Sequence, residues 1–255
     1  MGKVTRRRFL GALGSAGVLA GTYKLDDEVT GGYSESDMSL IGHRGVSGLE
    51  SDNSMDGFRR AADLELDGVE TDLRTTRDNK LVLSHDPFIV SDEDLHVIST
   101  TDYSELIKHS DLVLFSDFLD WFETQDMELY TEFKATESID PAIQMMEERR
   151  LSENVTLMSL MPSHFEFFPD EFETAFAGSI TSRIMFERLE GINPDYIIPH
   201  YLPFINSTEH VSGDQIDGYW MLSEKTEDIR DVLRTNPDML ISNRPDIVNR
   251  IIKSG

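Results

Sequence analysis

The sequence contains no cysteine. Disulfides, thiol nucleophiles, Cys-ligated zinc and lipid attachment through an N-terminal cysteine are therefore excluded, and cysteine usage points to no particular redox compartment. Lysine is scarce too: of the 23 basic residues, 7 are Lys and 16 are Arg. From Asp26 onward 48 acidic side chains face 18 basic ones, a balance of −30 within a net −25 for the whole chain. No basic stripe exists to neutralise nucleic-acid phosphates, so nucleic acid is not an expected partner. An acidic, Lys-poor composition suggests adaptation to concentrated salt, where the screening length shrinks to about 3 Å at 1 M and self-repulsion is suppressed. Long hydrophobic runs are also missing. The apolar stretch Gly11–Gly21 is shorter than the roughly 17–25 residues that cross a bilayer.

The N-terminus carries most of the chain's locally concentrated positive charge. Thr5-Arg6-Arg7-Arg8-Phe9-Leu10 precedes that Gly/Ala-rich stretch, and the pair of features resembles a twin-arginine export signal, an address read by a receptor. Residues 1–23 are read as this signal segment, 24–38 as a flexible spacer and 39–255 as one catalytic domain. No convincing Ala-x-Ala site follows, so an uncleaved segment would be the only tie to a membrane. An extracellular or cell-surface location is expected, and no oligomeric state is implied.

Beyond residue 38, apolar runs ending in polar residues alternate with helical periodicity. Ser39–His43, Gly68–Asp72 and Leu81–His85 read as strands, and Met55–Leu66 as a helix behind an Asn53/Ser54 cap. Asp86–Ser110 reads as a polar lid or substrate loop. Ser116–Thr124 is a helix, Glu128–Lys134 a strand, and Ala142–Leu151 a helix with an Asp140 cap and Pro141 first. Val155–Leu160, Tyr196–Pro199, Asp217–Leu222 and Met239–Ser242 are later strands, and Thr226–Arg234 a helix. The span Phe168–Asn193 yields no clear sixth strand. Alternating strands and helices imply an α/β fold, in which reactive groups collect at the carboxyl ends of the strands.

His43, Glu70, Asp72 and His85 would then converge on one rim. Glu70 and Asp72 lie two apart on a strand and point the same way, as do Glu132 and Lys134. Three carboxylates at one rim repel each other unless a cation sits among them, and an all-oxygen donor set favours Mg²⁺ or Ca²⁺ over zinc. His43 and His85 are the candidate acid and base, since imidazole titrates near neutrality. His96, His109, His164, His200 and His210 sit in no such pattern; of these only His200, late in an apolar strand, is placed to reach the pocket.

These elements resemble the glycerophosphodiester phosphodiesterase family. The resemblance rests on His43-Arg44-Gly45, Ser51-Asp52-Asn53-Ser54, Glu70-Thr71-Asp72, His85-Asp86-Pro87, Glu132-Phe133-Lys134, Tyr219–Ser223 and Ile241–Asp246. It implies a single-domain (β/α)₈ TIM barrel with room for distortion, and metal-dependent hydrolysis of glycerophosphodiesters to glycerol phosphate and an alcohol. By resemblance His43 and His85 are the catalysts, and Glu70, Asp72 and Glu132 hold one divalent cation. Arg44 and Lys134 would contact the phosphate, and Trp220 the polyol side of the pocket. The nucleophile would be the substrate's own glycerol hydroxyl, through a cyclic phosphate, or water attacking directly. Asp52 stands where the family has Glu, and Phe88-Ile89-Val90 replaces the usual residues after His-Asp-Pro. Two alternatives remain: a phospholipase-like phosphodiesterase acting on intact lipids, which would need an apolar collar, and a non-catalytic binding protein on the same barrel.

The charge balance yields a direct expectation. The thermal midpoint should rise between about 0.1 M and molar KCl, as the screening length falls from about 10 Å to about 3 Å. A midpoint unmoved by salt in calorimetry would contradict adaptation to concentrated salt.

Overall fold

A computed structural model of the chain describes residues 38–91, 94–178, 189, 191–201 and 217–254. The twin-arginine-like segment, the spacer up to residue 37 and His210 lie outside the described residues. Eight strands run parallel in the order β10 (Gly218–Met221), β11 (Met239–Ser242), β1 (Ser39–Gly42), β2 (Gly68–Thr75), β6 (Glu128–Phe133), β7 (Val155–Ser159), β8 (Glu173–Phe176) and β9 (Tyr196–Ile197). A parallel bridge between His200 and Trp220 joins the two ends. There the Trp220 N–H donates to Pro199 O at 3.0 Å and the Tyr201 N–H to Trp220 O at 2.8 Å. The sheet is thereby a barrel of the (β/α)₈ type.

Period-two alternation along the strands sorts the core into two layers. Ile41, Tyr130, Met158 and Ile241 fill the barrel interior, while their neighbours Leu40, Leu129, Leu157 and Leu240 face the helices. Against that outer layer pack α1 (Met55–Asp63), α3 (Phe115–Phe122), α4 (Ile139–Glu148), α5 (Thr226–Leu233) and α6 (Pro245–Ser254). Each buries one stripe: Phe58 and Ala61 on α1; Phe115, Phe118, Leu119 and Phe122 on α3. The Phe58 and Phe118 rings meet with centroids 4.5 Å apart.

The structure corrects or completes four readings. The stretch from Leu81 is no barrel strand: β3 (Leu81–Leu83) runs antiparallel to the outer half of β2, Leu73 opposite Leu83. The turn at Thr76–Asn79 is too short for a crossover helix, so only an antiparallel return is available. Asp86–Ser110 contains a hairpin of β4 (Phe88–Val90) and β5 (Leu95–Val97), followed by the short helix α2 (Tyr103–Leu106). The strand that the sequence does not reveal is β8, the fifth of the barrel once β3 is set aside; it lies inside the unreadable span, is four residues long and is preceded by a 3₁₀ helix instead of an α-helix. Finally, Ser54 alone caps α1, accepting from the Gly57 N–H, and α4 starts at Ile139 behind a 3₁₀ turn instead of at an Asp140 cap. Pro141 still falls in the first helical turn, where a missing N–H costs nothing.

The chain reverses sharply as it leaves β1. Arg44 and Gly45 both adopt positive φ, 50° and 86°, and the Gly45 carbonyl comes so close to Gly42 that a Cβ there would sit 1.9 Å from it. This turn sets His43 and Arg44 on the rim. Gly42→Ala should therefore destabilise the fold by about 1–3 kcal/mol through overpacking and reduce turnover as well, measurable by urea denaturation and by assay.

Candidate active site

At the carboxyl ends of β2 and β6 three acids come together. The strands pair with Asp72 opposite Glu132, and one carboxylate oxygen from each of Glu70, Asp72 and Glu132 lies within 4.8 Å of the others. All three are buried, exposed by 1%, 0% and 8%. Two cations reach in. Lys134 Nζ stands 2.9 Å from Asp72 Oδ1 and 2.5 Å from Glu132 Oε1. Arg44 Nε lies 3.1 Å from Asp72 Oδ2, its Nη1 2.7 Å from Asp52, and its backbone N–H donates to Glu70 Oε2 at 2.9 Å. The Asp52 departure therefore still reaches Arg44 with its shorter side chain.

These groups leave the acids unequal. Burial raises Asp72, but Lys134, Arg44 and a hydrogen bond from Asn53 outweigh it and hold it below the usual carboxylate range. Burial pushes Glu132 up to about 7, with Lys134 opposing and Asp72 adding to the rise. Glu70 is raised furthest by burial, then by the charges of Asp72 and Glu132. Its Oε1 is buried and accepts no hydrogen bond. A carboxylate oxygen without a partner, beside two more carboxylates, is a poor resting place for protein charge and a good ligand for a hard divalent cation. The donor set fits one Mg²⁺ or Ca²⁺.

His43 sits beside this cluster, 6% exposed. Its Nδ1 is 2.5 Å from Asn243 Oδ1 and its Nε2 3.8 Å from Glu70 Oε2. Burial, with Arg44 next to it, lowers its pKa to about 4, so the ring is neutral at pH 7. Since Asn243 Oδ1 can only accept, Nδ1 carries the hydrogen and Nε2 keeps its lone pair. His85 arrives by a different route from the one expected. The β2–β3 return brings it back to the level of Asp72, where the Ser84 N–H donates to Asp72 O at 2.9 Å. Arg74, on the protruding half of β2, donates to the His85 carbonyl from Nε at 3.0 Å and Nη2 at 2.6 Å. The ring is 43% exposed and its Nδ1 lies 2.9 Å from Asp86.

A small cavity, about 70 Å³, collects these groups. Its walls include His43, Arg44, Glu70, His85, Glu132, Lys134 and Trp220, with Met158, Leu160, Ala177 and Ile241. Trp220 stacks on His200 at 4.0 Å and tilts against His43 at 5.9 Å; its buried Nε1 has no hydrogen-bond partner. His200 thus lies behind Trp220, away from the cavity wall. His164 is fully buried and bonded to Ser159 at 2.9 Å and Thr136 at 3.2 Å, a structural role. His96 and His109 stack on each other in the β4–β5 region.

Residues 43–168 match the Glycerophosphoryl diester phosphodiesterase family, a stretch that holds the whole acidic cluster and both cavity histidines. The chain is a phosphoric diester hydrolase. Solved structures share its barrel. A glycerophosphodiester phosphodiesterase from Parabacteroides distasonis superposes with TM-score 0.69 at 18% identity, over 86% of this chain and 98% of that one. One from Thermotoga maritima gives 0.65 at 23%, over 86% and 98%. A phosphodiesterase from Oleispira antarctica, in complex with the product sn-glycerol-3-phosphate, gives 0.67 at 15%, over 84% and 96%. No curated protein matches the chain significantly.

Three residues of the hydrolase site escaped sequence reasoning. Asn53, predicted as a cap, instead clamps Asp72: its Nδ2 donates to Oδ2 at 2.9 Å while its Oδ1 accepts from the Asp72 N–H at 3.1 Å. Asn243 orients His43 from the far end of the chain, and Arg74 anchors the His85 loop. Asn53 and Asn243 each left a trace as the third residue of a quoted motif, though not in these roles; Arg74 left none, and its role depends on contacts made in three dimensions.

The raised pKa values give the cluster a proton signature. Without a cation, stability should fall as pH rises from about 4.5 through about 7, because Glu132 binds its proton more tightly folded than unfolded. Adding Mg²⁺ or Ca²⁺ near pH 7 should release protons. Binding enthalpies that differ between buffers of unlike ionisation heat would show this, and identical enthalpies would refute it.

Proposed function

We propose that the chain hydrolyses glycerophosphodiesters to glycerol phosphate and an alcohol, with one divalent cation held by Glu70, Asp72 and Glu132 and with His43 and His85 as the acid–base pair. The observation that carries this reading is the meeting of three buried carboxylates, two cations and two histidines around one cavity within the matched segment. A phosphodiester repels nucleophiles and has a poor leaving group, so its charge must be neutralised and its leaving oxygen protonated. A divalent cation held by Glu70, Asp72 and Glu132 would supply neutralisation of the phosphodiester's charge. Arg44 and Lys134 add positive charge, already oriented by Asp52 and Asp72. Neutral His43, with Nε2 free of its proton, takes one from the attacking oxygen. His85, open to solvent and able to exchange protons with it, donates to the departing alkoxide. Trp220, a wall residue of the cavity, would bound the polyol side of the substrate.

We further infer export by a twin-arginine route, which the arginine cluster Arg6–Arg8 and the following apolar run support.

The test is a product assay on glycerophosphocholine. Chelator should abolish release of glycerol phosphate, and Mg²⁺ or Ca²⁺ should restore it. His43→Ala and His85→Ala should each cost about 10²–10⁴-fold in kcat, and the double variant much less than the product of the two. Full turnover in excess chelator, or a single variant keeping more than about a tenth of kcat, would overturn the assignment.

A further inference from the structure

Among the described residues, nine large apolar side chains are strongly exposed. None lies on a barrel strand or on the helices packed around them. All belong to segments that follow the carboxyl ends of strands, the side of the barrel that carries the cavity. The densest group is the β4–β5 hairpin. Its pairs Phe88–Val97 and Val90–Leu95 lie directly across from one another, so the four side chains form one continuous face, exposed by 36% to 67%. The opposite face carries Ile89, which packs on Val82, Ile98, Leu106 and Leu112 and fixes the hairpin in place. An apolar face held out to solvent is unusual in a chain with 48 acidic residues, and such patches mark binding surfaces.

The hairpin follows closely in the chain on His85, a wall residue of the catalytic cavity. Phe88 follows His85 by three residues, and the Ile98 N–H closes the base of the hairpin on Pro87 O at 2.9 Å. Leu160 is both a wall residue of the cavity and 40% exposed, so it carries apolar surface outward. A cavity of about 70 Å³ takes little more than a phosphate and its nearest atoms, so the remainder of any larger substrate lies on the rim. A wholly polar glycerophosphodiester would gain nothing from apolar side chains there.

We propose that the preferred substrate is a single-chain glycerophospholipid, whose phosphodiester enters the cavity while its acyl chain lies along the Phe88/Val90/Leu95/Val97 face. The inference rests on the phosphodiesterase reading above. A monomeric amphiphile is favoured over a bilayer because the sequence joining β4 to β5, Ser91 to Asp94, carries three acids, whose charge opposes burial in a membrane. In the reaction a water oxygen bonds to phosphorus and the phosphorus–oxygen bond to the headgroup alcohol breaks. The alcohol leaves with a proton, and the acyl ester stays on the glycerol phosphate product.

The experiment compares 1-palmitoyl-glycerophosphocholine, kept below its micellar concentration, with glycerophosphocholine. Both are assayed on the full chain and on the double variant Val90→Asp/Leu95→Asp, two exposed positions outside the catalytic machinery. The wild type should prefer the acylated substrate in kcat/KM by about tenfold or more. The variant should lose that preference while its kcat/KM on glycerophosphocholine stays within about twofold. Equal use of both substrates by the wild type overturns the proposal, as does a preference that survives the substitutions or a loss on both substrates together. If neither substrate is turned over, the phosphodiesterase reading fails and calorimetric binding of the same lysolipid decides. Binding weakened about tenfold in the variant upholds the acyl-chain face, and absent or unchanged binding overturns it. Sedimentation with phosphatidylcholine vesicles, abolished by the substitutions and without any monomer preference, would make the hairpin a membrane-docking face instead.

Discussion

Three buried carboxylates with oxygens within 4.8 Å of one another are the constraint around which this barrel's catalytic end is arranged. Glu70, Asp72 and Glu132 lose their hydration in the fold, and mutual repulsion adds to the cost. Lys134, Arg44 and Asn53 all converge on Asp72, so that acid stays ionised, while Glu70 and Glu132 are pushed toward the protonated form. The protein alone satisfies one carboxylate of the three well. A divalent cation would satisfy the remaining two, which makes the site a receptor for positive charge before substrate arrives.

The two histidines differ for physical reasons that suit different tasks. His43 is sealed in, held by Asn243 and depressed by burial, and so presents a lone pair at neutral pH. His85 stands at the edge, reached by solvent and steadied through its backbone by Arg74. In the proposed acid–base pair, these surroundings suit His43 to accept a proton and His85 to donate one. The same β2–β3 return that delivers His85 also launches the hairpin, so the catalytic edge and the apolar face are parts of one continuous excursion from the barrel.

Much of this was legible in the chain. The strand-to-strand alternation of Ile41 with Leu40 and of Tyr130 with Leu129 reflects the pleat, and residues two apart must share a face; hence the pairing of Glu70 with Asp72 could be read directly. The family resemblance supplied the remaining members of the cluster in order. Less legible were the elements set by pairing at a distance. Leu81–Leu83 looks like any buried strand, and only its partner decides that it runs antiparallel. The β8 segment is four residues long and its neighbours β7 and β9, far apart in sequence, are what hold it in the sheet.

Composition and spacing determined the α/β class, the charge excess, the absence of thiol chemistry and which side chains could reach one rim, because these follow from local periodicity and residue chemistry. Tertiary structure alone decided that Asn243 and Arg74 steady the two histidines, that Asn53 clamps Asp72, that His200 backs Trp220, and that four apolar side chains form an exposed face on the hairpin after His85. Those outcomes depend on strand order, register and burial, which bring together groups as much as 200 positions apart, and no local pattern encodes such distances.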